Sequence, residues 1–270
     1  MILKAWLERH PYLKATAELH ALMERAAADI ELPALPVPKW DAYLEDYRAG
    51  VPLLESSSVA IDLEPVAVPL ALLVEMTARL PLPGQLAAES HALVSELHGD
   101  PDAPHRWLTW LLDRDSNEPA GPGLLLFLGW TLLARQLWTV VGEFSRWRDE
   151  ERWLRNYCPT CAAPPAMAQL VGTDPGRMRF LSCGCCLTRW RFQRTLCPFC
   201  ESDDQRLLTL AIEGEKNLRI DYCQSCSGYL KTYIGQGSEG VLLADWTTIH
   251  LDVIARDNGL KRLAASIYDW

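Results

Sequence analysis

Four Cys-x-x-Cys pairs, all in the second half of the chain, limit what this sequence can fold into. They are Cys158-Pro-Thr-Cys161, Cys183-Gly-Cys-Cys186, Cys197-Pro-Phe-Cys200 and Cys223-Gln-Ser-Cys226. Two intervening residues let a tight turn aim both thiolates at one ion. Two such turns meeting from opposite sides complete a tetrahedron, with metal–sulfur distances of about 2.3 Å for zinc. Residues 162–182 separate the first two pairs and residues 201–222 the last two, so the gaps differ by one position and lie near the spacing of four-cysteine ribbons. The second set repeats the first at an offset of 39 or 40 positions, which predicts a duplicated rubredoxin-like or zinc-ribbon unit.

Four pairs can make two sites in three ways, and loop length favours pairing neighbours. The expected ligands are Cys158, Cys161, Cys183 and Cys186 in one site, and Cys197, Cys200, Cys223 and Cys226 in the other. Cys185 is the ninth cysteine and most simply a non-ligand, although it could replace Cys186 or act as a reactive thiol. Disulfides are the competing use of paired cysteines, but two matched ribbon spacings argue against them. A site closed by four thiolates is usually structural. Tetrahedral thiolates accept iron as well as zinc, and iron could carry one electron, so spacing leaves the metal open.

The rest of the chain differs in character. The whole is 49% hydrophobic and 23% charged, with a net charge of −9, an ordinary globular composition with ample material for a core. Residues 1–150 carry 12 basic and 22 acidic side chains, and the remainder 14 and 13. Apolar residues at helical spacing fall around Leu13–Ala21, Val66–Leu80 and Leu86–Leu97, punctuated by proline loops, and a long helix is predicted from about Leu124 to Leu154. Its apolar stretch is interrupted at Arg135 and Gln136, short of the roughly 20 residues a membrane span needs, so a buried helix and no membrane insertion are expected. The start, MILKAWLERHPYLK, has no apolar signal core. The expected compartment is therefore the cytoplasm, where thiols stay reduced and paired cysteines usually mean metal.

The fold class predicted is α+β and multidomain: an all-α helical domain over 1–155, a first four-cysteine module over 156–194, and a second over 195–270 ending in a helix. Short strands are predicted at Arg179–Leu181, Arg189–Phe192, Arg206–Ile212 and Leu218–Tyr222, then a helix from about Thr248 to Ala255 with a further turn after Gly259.

Other motifs carry less. Gly235-Gln-Gly237-Ser-Glu-Gly240 has the letters of a dinucleotide fingerprint without the strand–turn–helix context, and reads as a loop. His10, His20, His91, His98, His105 and His250 are scattered, with no metalloprotease spacing and no evident nucleophile, so surface or core roles are expected for them. No catalytic constellation appears. Arg152, Arg155, Arg177, Arg179, Arg189, Arg191 and Arg194, interleaved with Trp190 and Phe192, could bind single-stranded nucleic acid by charge and stacking. They could equally face an acidic domain or partner, which the acidic chain and the lack of an extended basic stripe favour.

From Cys158 onward the residues resemble the FdhE family, cytoplasmic accessory proteins of formate dehydrogenase. The resemblance runs from Cys158-Pro-Thr-Cys161 and Pro164 through Gly176-Arg-Met-Arg-Phe-Leu-Ser-Cys183, Cys186 and Trp190. It continues over Cys197-Pro-Phe-Cys200 and Cys223-Gln-Ser-Cys226-Ser-Gly-Tyr229-Leu230-Lys231, then Ala244-Asp245, Leu251-Asp252, Gly259 and Arg262. Cys-x-x-Cys-x-x-Tyr-Leu-Lys is its most specific piece. Ala162 stands where the first knuckle usually has glycine, Cys185 is extra, and Trp246 follows Asp245 in place of a second aspartate. The resemblance implies two rubredoxin-type iron sites, with zinc as the alternative occupant. It also implies a non-enzymatic role in maturation, binding the catalytic subunit of formate dehydrogenase before export. The competing functions are a zinc-ribbon nucleic-acid-binding protein and a rubredoxin-like electron carrier. Candidate partner surfaces are the acidic helices, Arg177 with Arg179, and the segment Tyr229-Leu230-Lys231.

Overall fold

A computed structural model describes residues 2–114 and 116–268. In chain order the helices of the first half are α1 (Ile2–Arg9), α2 (Lys14–Ala28), α3 (Trp40–Ala49), α4 (Ala67–Thr77), α5 (Gly84–Gly99), α6 (Ala103–Leu112) and α7 (Pro122–Trp147). The second half contributes β1 (Pro165–Val171), β2 (Met178–Cys183), β3 (Arg189–Phe192), β4 (Leu207–Ala211), β5 (Leu218–Cys223) and β6 (Gly228–Ile234), then α8 (Glu239–Leu242), α9 (Ile249–Asp257) and β7 (Lys261–Arg262). The mixed α+β class, with helices first and tandem ribbon modules after, is the architecture the sequence predicts.

Two compact units interleave along the chain. One gathers Met1–Leu13, Lys39–Val59 and Ser145–Ser266; the other gathers Lys14–Pro38, Ala60–Phe144 and Ile267–Trp270. The helices within 1–155 are thus divided between both units, and the two cysteine modules share one.

In the helical unit, α7 forms the centre. Its buried residues include Leu125, Phe127, Leu128, Trp130, Leu132, Leu133 and Leu137, which cover every side of the helix rather than one stripe. This is the one helix among the described residues long and apolar enough to cross a bilayer, and 67% of its most apolar window is buried within the fold. The two polar residues that break its apolar run serve local structure. Arg135 donates to the carbonyl of Ala27 and, at 3.3 Å, to that of Ile30, and Gln136 donates to the carbonyl of Pro33. These bonds tie α7 to the last turn of α2 and to the loop that follows it.

In the other unit the duplication is visible as strands. Each module runs knuckle, two-strand hairpin, knuckle, third strand: β1–β2–β3 in the first and β4–β5–β6 in the second. Both are antiparallel meanders. The two join edge to edge through a parallel pairing of β1 with β6, Met167 opposite Lys231 and Leu170 opposite Ile234. One sheet results, ordered β3-β2-β1-β6-β5-β4, with β7 added parallel to β6. The central strands β1 and β6 are buried at every position but their last, whereas β2 and β3 alternate. Sheets covered on both faces produce such continuous burial. A core of Trp6, Leu13, Leu218, Ile220, Tyr229, Tyr233, Leu251 and Ala255 packs α1 and α9 with β5 and β6. After Gly259 the chain forms β7, not the further helical turn the sequence suggested.

Candidate metal centres

Each hairpin delivers its second strand directly into a knuckle: β2 ends at Cys183 and β5 at Cys223. Within a knuckle the amide two residues after the first cysteine points back at its sulfur. These N–H···S distances are 3.4 Å from Thr160 to Cys158, 3.3 Å from Cys185 to Cys183, 3.4 Å from Phe199 to Cys197 and 3.3 Å from Ser225 to Cys223. Such donors stabilise negative charge on sulfur. The residue after the second cysteine is left-handed in all four knuckles: Ala162 (φ 62°), Leu187 (φ 62°), Glu201 (φ 57°) and Ser227 (φ 59°). None is glycine, although this conformation costs an L-residue roughly 1–2 kcal/mol. The backbone is reversed there so that the chain can close on the first cysteine. Ala162 N donates to Cys158 O at 3.0 Å, Glu201 N to Cys197 O at 3.0 Å and Ser227 N to Cys223 O at 2.8 Å. In the second knuckle Gly184 is needed for a different reason. A Cβ there would lie 2.4 Å from the carbonyl oxygen of Ala265.

The knuckles meet as neighbours. Cys158, Cys161, Cys183 and Cys186 form one group, and Cys197, Cys200, Cys223 and Cys226 the other. In the first, sulfurs from opposite knuckles are separated by 3.4 Å (Cys158–Cys186) and 3.5 Å (Cys161 to both Cys183 and Cys186). In the second the separations are 3.8 Å (Cys197–Cys226) and 3.7 Å (Cys200–Cys223). Four sulfurs about 2.3 Å from a central ion stand about 3.8 Å apart, whereas a disulfide requires about 2.05 Å. The second group therefore has the dimensions of a metal tetrahedron, the first is slightly tighter, and neither is disulfide-bonded. Each of the two four-cysteine sites could hold a metal ion. Cys185 is buried and outside both groups.

The thiols are not equivalent. Burial pushes Cys158 and Cys183 well above their ordinary range, and thiol contacts with Cys158, Cys183 and Cys186 do the same for Cys161. Cys186 falls well below, because hydrogen bonds from the other three thiols outweigh its burial. In the second site burial pushes Cys197 up to about 12. Cys223 is brought down to about 6: burial opposes ionisation, but the Ser202 hydroxyl at 3.0 Å and the amides of Cys226 and Ser225 outweigh it. Thiolate ligands bind metal deprotonated, so a metal held in either group would be taken up with release of protons. The sites also differ in depth: Cys161 is the only partly exposed ligand of the first, whereas Cys200 is exposed and Cys226 half-buried in the second.

The motif residues beyond the cysteines converge as well, on one buried ionic network. Lys231, 1% exposed, donates to the side chain and, at 3.1 Å, the carbonyl of Asp245, and to Asp252 Oδ2 at 2.7 Å. Arg262 bonds Asp245 at 2.7 Å and Asp252 at 3.1 Å, and the Tyr229 hydroxyl donates to Asp252 at 2.7 Å. The cations beside Asp245 hold its carboxyl below the usual range although burial opposes its ionisation. Tyr229 and Leu230 are buried too, so this segment is structural and is not the partner surface considered from the sequence.

The aromatic residues of the arginine–aromatic cluster are likewise turned inward. Trp190 and Phe192 are buried, Arg179 donates to the carbonyls of Gln193 and Leu196, and Arg189 lies 4.3 Å over the ring of Phe180. Arg191 pairs with Glu151, Arg152 with Asp149 and Arg177 with Asp174. Buried in this way, Trp190 and Phe192 offer no exposed ring for a base to stack on. The glycine-rich segment leads from β6 into the four-residue α8, far short of a dinucleotide-binding helix.

No family model matches the chain. Among proteins of known name, it is 33% identical over 120 residues to an FdhE homologue from Aquifex aeolicus, covering 43% of this chain and 42% of that protein. It is 35% identical over 153 residues to one from Stutzerimonas stutzeri, covering 54% and 48%. The matches thus span less than half of each relative's length. In fold it is similar to the FdhE protein from Pseudomonas aeruginosa, with a TM-score of 0.59 at 22% identity over 96% of this chain and 88% of that one. Sequence similarity to FdhE homologues thus covers about half of the chain, and the fold of a solved FdhE protein covers nearly all of it.

Proposed function

We propose that the protein is an accessory factor for maturation of formate dehydrogenase, not itself an enzyme, and that it binds the catalytic subunit through a surface shaped by its two metal-filled ribbons. The observation that carries this reading is the pair of preorganised four-thiol groups in a chain similar to FdhE homologues over about half its length. Both are closed, with no position left for a substrate on the ion, which suits a structural metal better than a catalytic one. Cys158, Cys161, Cys183 and Cys186 would hold one ion, and Cys197, Cys200, Cys223 and Cys226 the other. Iron of the rubredoxin type is the proposed occupant, with zinc as the alternative. A bound ion fixes the knuckles and the strands that leave them; the chain's own residues set the register of that surface.

Depth gives the second ribbon a further property. Its exposed Cys200 makes it the site where oxidation or metal loss begins, so docking through this ribbon would be redox-sensitive. The same exposure is what an electron carrier needs, and it keeps that alternative in view. The test is an oxygen-free affinity purification from native cells, with captured proteins identified by mass spectrometry. Recovery of a formate dehydrogenase catalytic subunit is expected. Recovery of RNA and ribosomal proteins in its place would refute the assembly role, and a native preparation holding only zinc would exclude electron transfer.

A further inference from the structure

Three residues far apart in sequence meet outside the cysteine sites. His10 follows α1, Glu215 lies in the β4–β5 turn, and His250 is the second residue of α9. Their ligand atoms all lie within 4.8 Å of one another. We propose that His10, Glu215 and His250 form a third metal site, a nitrogen–oxygen site for a borderline divalent cation such as zinc, independent of the eight thiols. It goes beyond the assembly role and does not depend on it.

The carboxylate is built into place. Glu215 N donates to Ile212 O at 3.1 Å across a turn in which Gly214 has φ +81°, a position that glycine fills without strain. Its side chain is 8% exposed, and Arg9 holds it at 3.4 Å through Oε2. That leaves Oε1 facing His10 Nε2 at 2.9 Å, without a well-directed hydrogen bond from the ring. Across the same ring, Nδ1 is 2.7 Å from the Tyr12 hydroxyl. Such an outer partner fixes the tautomer of a ligating histidine: with Nδ1–H donating to Tyr12, Nε2 is free to bind metal.

His250 supplies the observation that points to a ligand. Both its ring nitrogens are buried without a hydrogen-bond partner, an arrangement that costs stability unless something satisfies them. The ring stacks on His10, with centroids 4.9 Å apart and planes at 25°. A cation with ligands at about 2.1 Å would set the donors about 3.4 Å apart, easing His10 and Glu215 slightly away from their 2.9 Å approach while His250 swings inward, with no hydrogen bond to hold it back. Nitrogen and carboxylate donors select zinc and its neighbours over magnesium or calcium. An adjoining cavity of ≈ 330 Å³, lined in part by Trp6, Arg9 and Glu215, leaves room beside the carboxylate for water to complete the coordination. The ion would tie the N-terminal segment to the hairpin and α9.

The test uses the full chain with its eight thiols already loaded with zinc, titrated with Co²⁺. The expected result is one further equivalent, three ions per chain by elemental analysis, with visible d–d bands and no thiolate-to-cobalt charge transfer. His250→Gln and Glu215→Gln should each weaken that equivalent at least tenfold and keep the two thiolate-bound ions. No further equivalent in the wild type would overturn the proposal, as would one that both variants bind equally well. Should the variants fail to fold, the cobalt-loaded wild type decides by NMR. Two paramagnetically shifted imidazole N–H resonances are expected, and their absence overturns the site.

Discussion

Replacing Lys231 by methionine tests whether the Tyr-Leu-Lys motif is the buried electrostatic centre of the sheet unit. Methionine keeps the apolar stem, so no large cavity is added and the change isolates the charge. The wild-type network balances two cations, Lys231 and Arg262, against two carboxylates, Asp245 and Asp252, whose side chains are 6% and 13% exposed. Without Lys231 one negative charge is left uncompensated, with Arg262, itself 21% exposed, shared between both carboxylates. Removing one partner of a buried ionic group costs about 3–5 kcal/mol. In a chain of this size that lowers Tm by about 6–20 °C. Adding Asp252→Asn to the Lys231→Met variant restores neutrality and leaves Tyr229 an acceptor, so the double variant should recover at least 1 kcal/mol, the coupling typical of directly contacting groups. Calorimetry or urea unfolding of the metal-loaded protein reads both numbers. A loss below about 1 kcal/mol for Lys231→Met, or simple additivity in the double variant, would refute the reasoning.

Other outcomes follow from the knuckles and the titrating groups. Ala162→Gly removes the left-handed penalty at +62° but loosens the unfolded chain, and should stabilise the metal-loaded protein by up to about 1 kcal/mol in urea unfolding. Cys185→Ser should leave metal content unchanged by elemental analysis, because Cys185 lies outside both thiol groups. A chelator should strip the second site before the first, since Cys200 is exposed and the first site is almost wholly buried; a site-resolved alkylation time course would show Cys200 and Cys223 modified ahead of Cys158 and Cys186. His250 is pushed down to about 4, mainly by burial and then by the charges of His10 and Lys231. The unfolded chain therefore binds a proton near pH 6.5 that the folded chain refuses until about pH 4. Stability falls as pH drops through that window, and His250→Gln should remove about one proton from the uptake measured on unfolding.

The two four-cysteine groups were legible in the sequence because knuckle geometry is local: a two-residue spacer and a ribbon-length gap are written in consecutive letters. The same holds for β3, β4 and β5, whose observed spans lie within one residue of the expected ones, and for β2, which runs two residues past its expected end. β1 and β6 escaped prediction because they are the strands buried on both faces, and Ala-Met-Ala-Gln-Leu-Val has no period-two alternation to read. Their parallel pairing, which fuses the two modules, joins positions more than 60 residues apart and leaves no local trace. The left-handed residues were visible only at Ala162, by comparison with an expected glycine; Leu187, Glu201 and Ser227 look unremarkable as letters. Lys231, Asp245, Asp252 and Arg262 are legible as a motif but not as a cluster, because nothing local in the letters shows that Tyr229-Leu230-Lys231 is buried against the two aspartates. The His10–Glu215–His250 group spans 240 positions, and only folding brings its members together.

The most direct test of the central claim is a count of bound ions by native mass spectrometry in paired cysteine variants. Cys161→Ser with Cys186→Ser lies within one proposed site and should lose one thiolate-bound ion. Cys161→Ser with Cys226→Ser spans both and should lose two. Equal losses from the two variants, or a wild-type chain whose mass shows disulfides and no bound ion, would contradict the account.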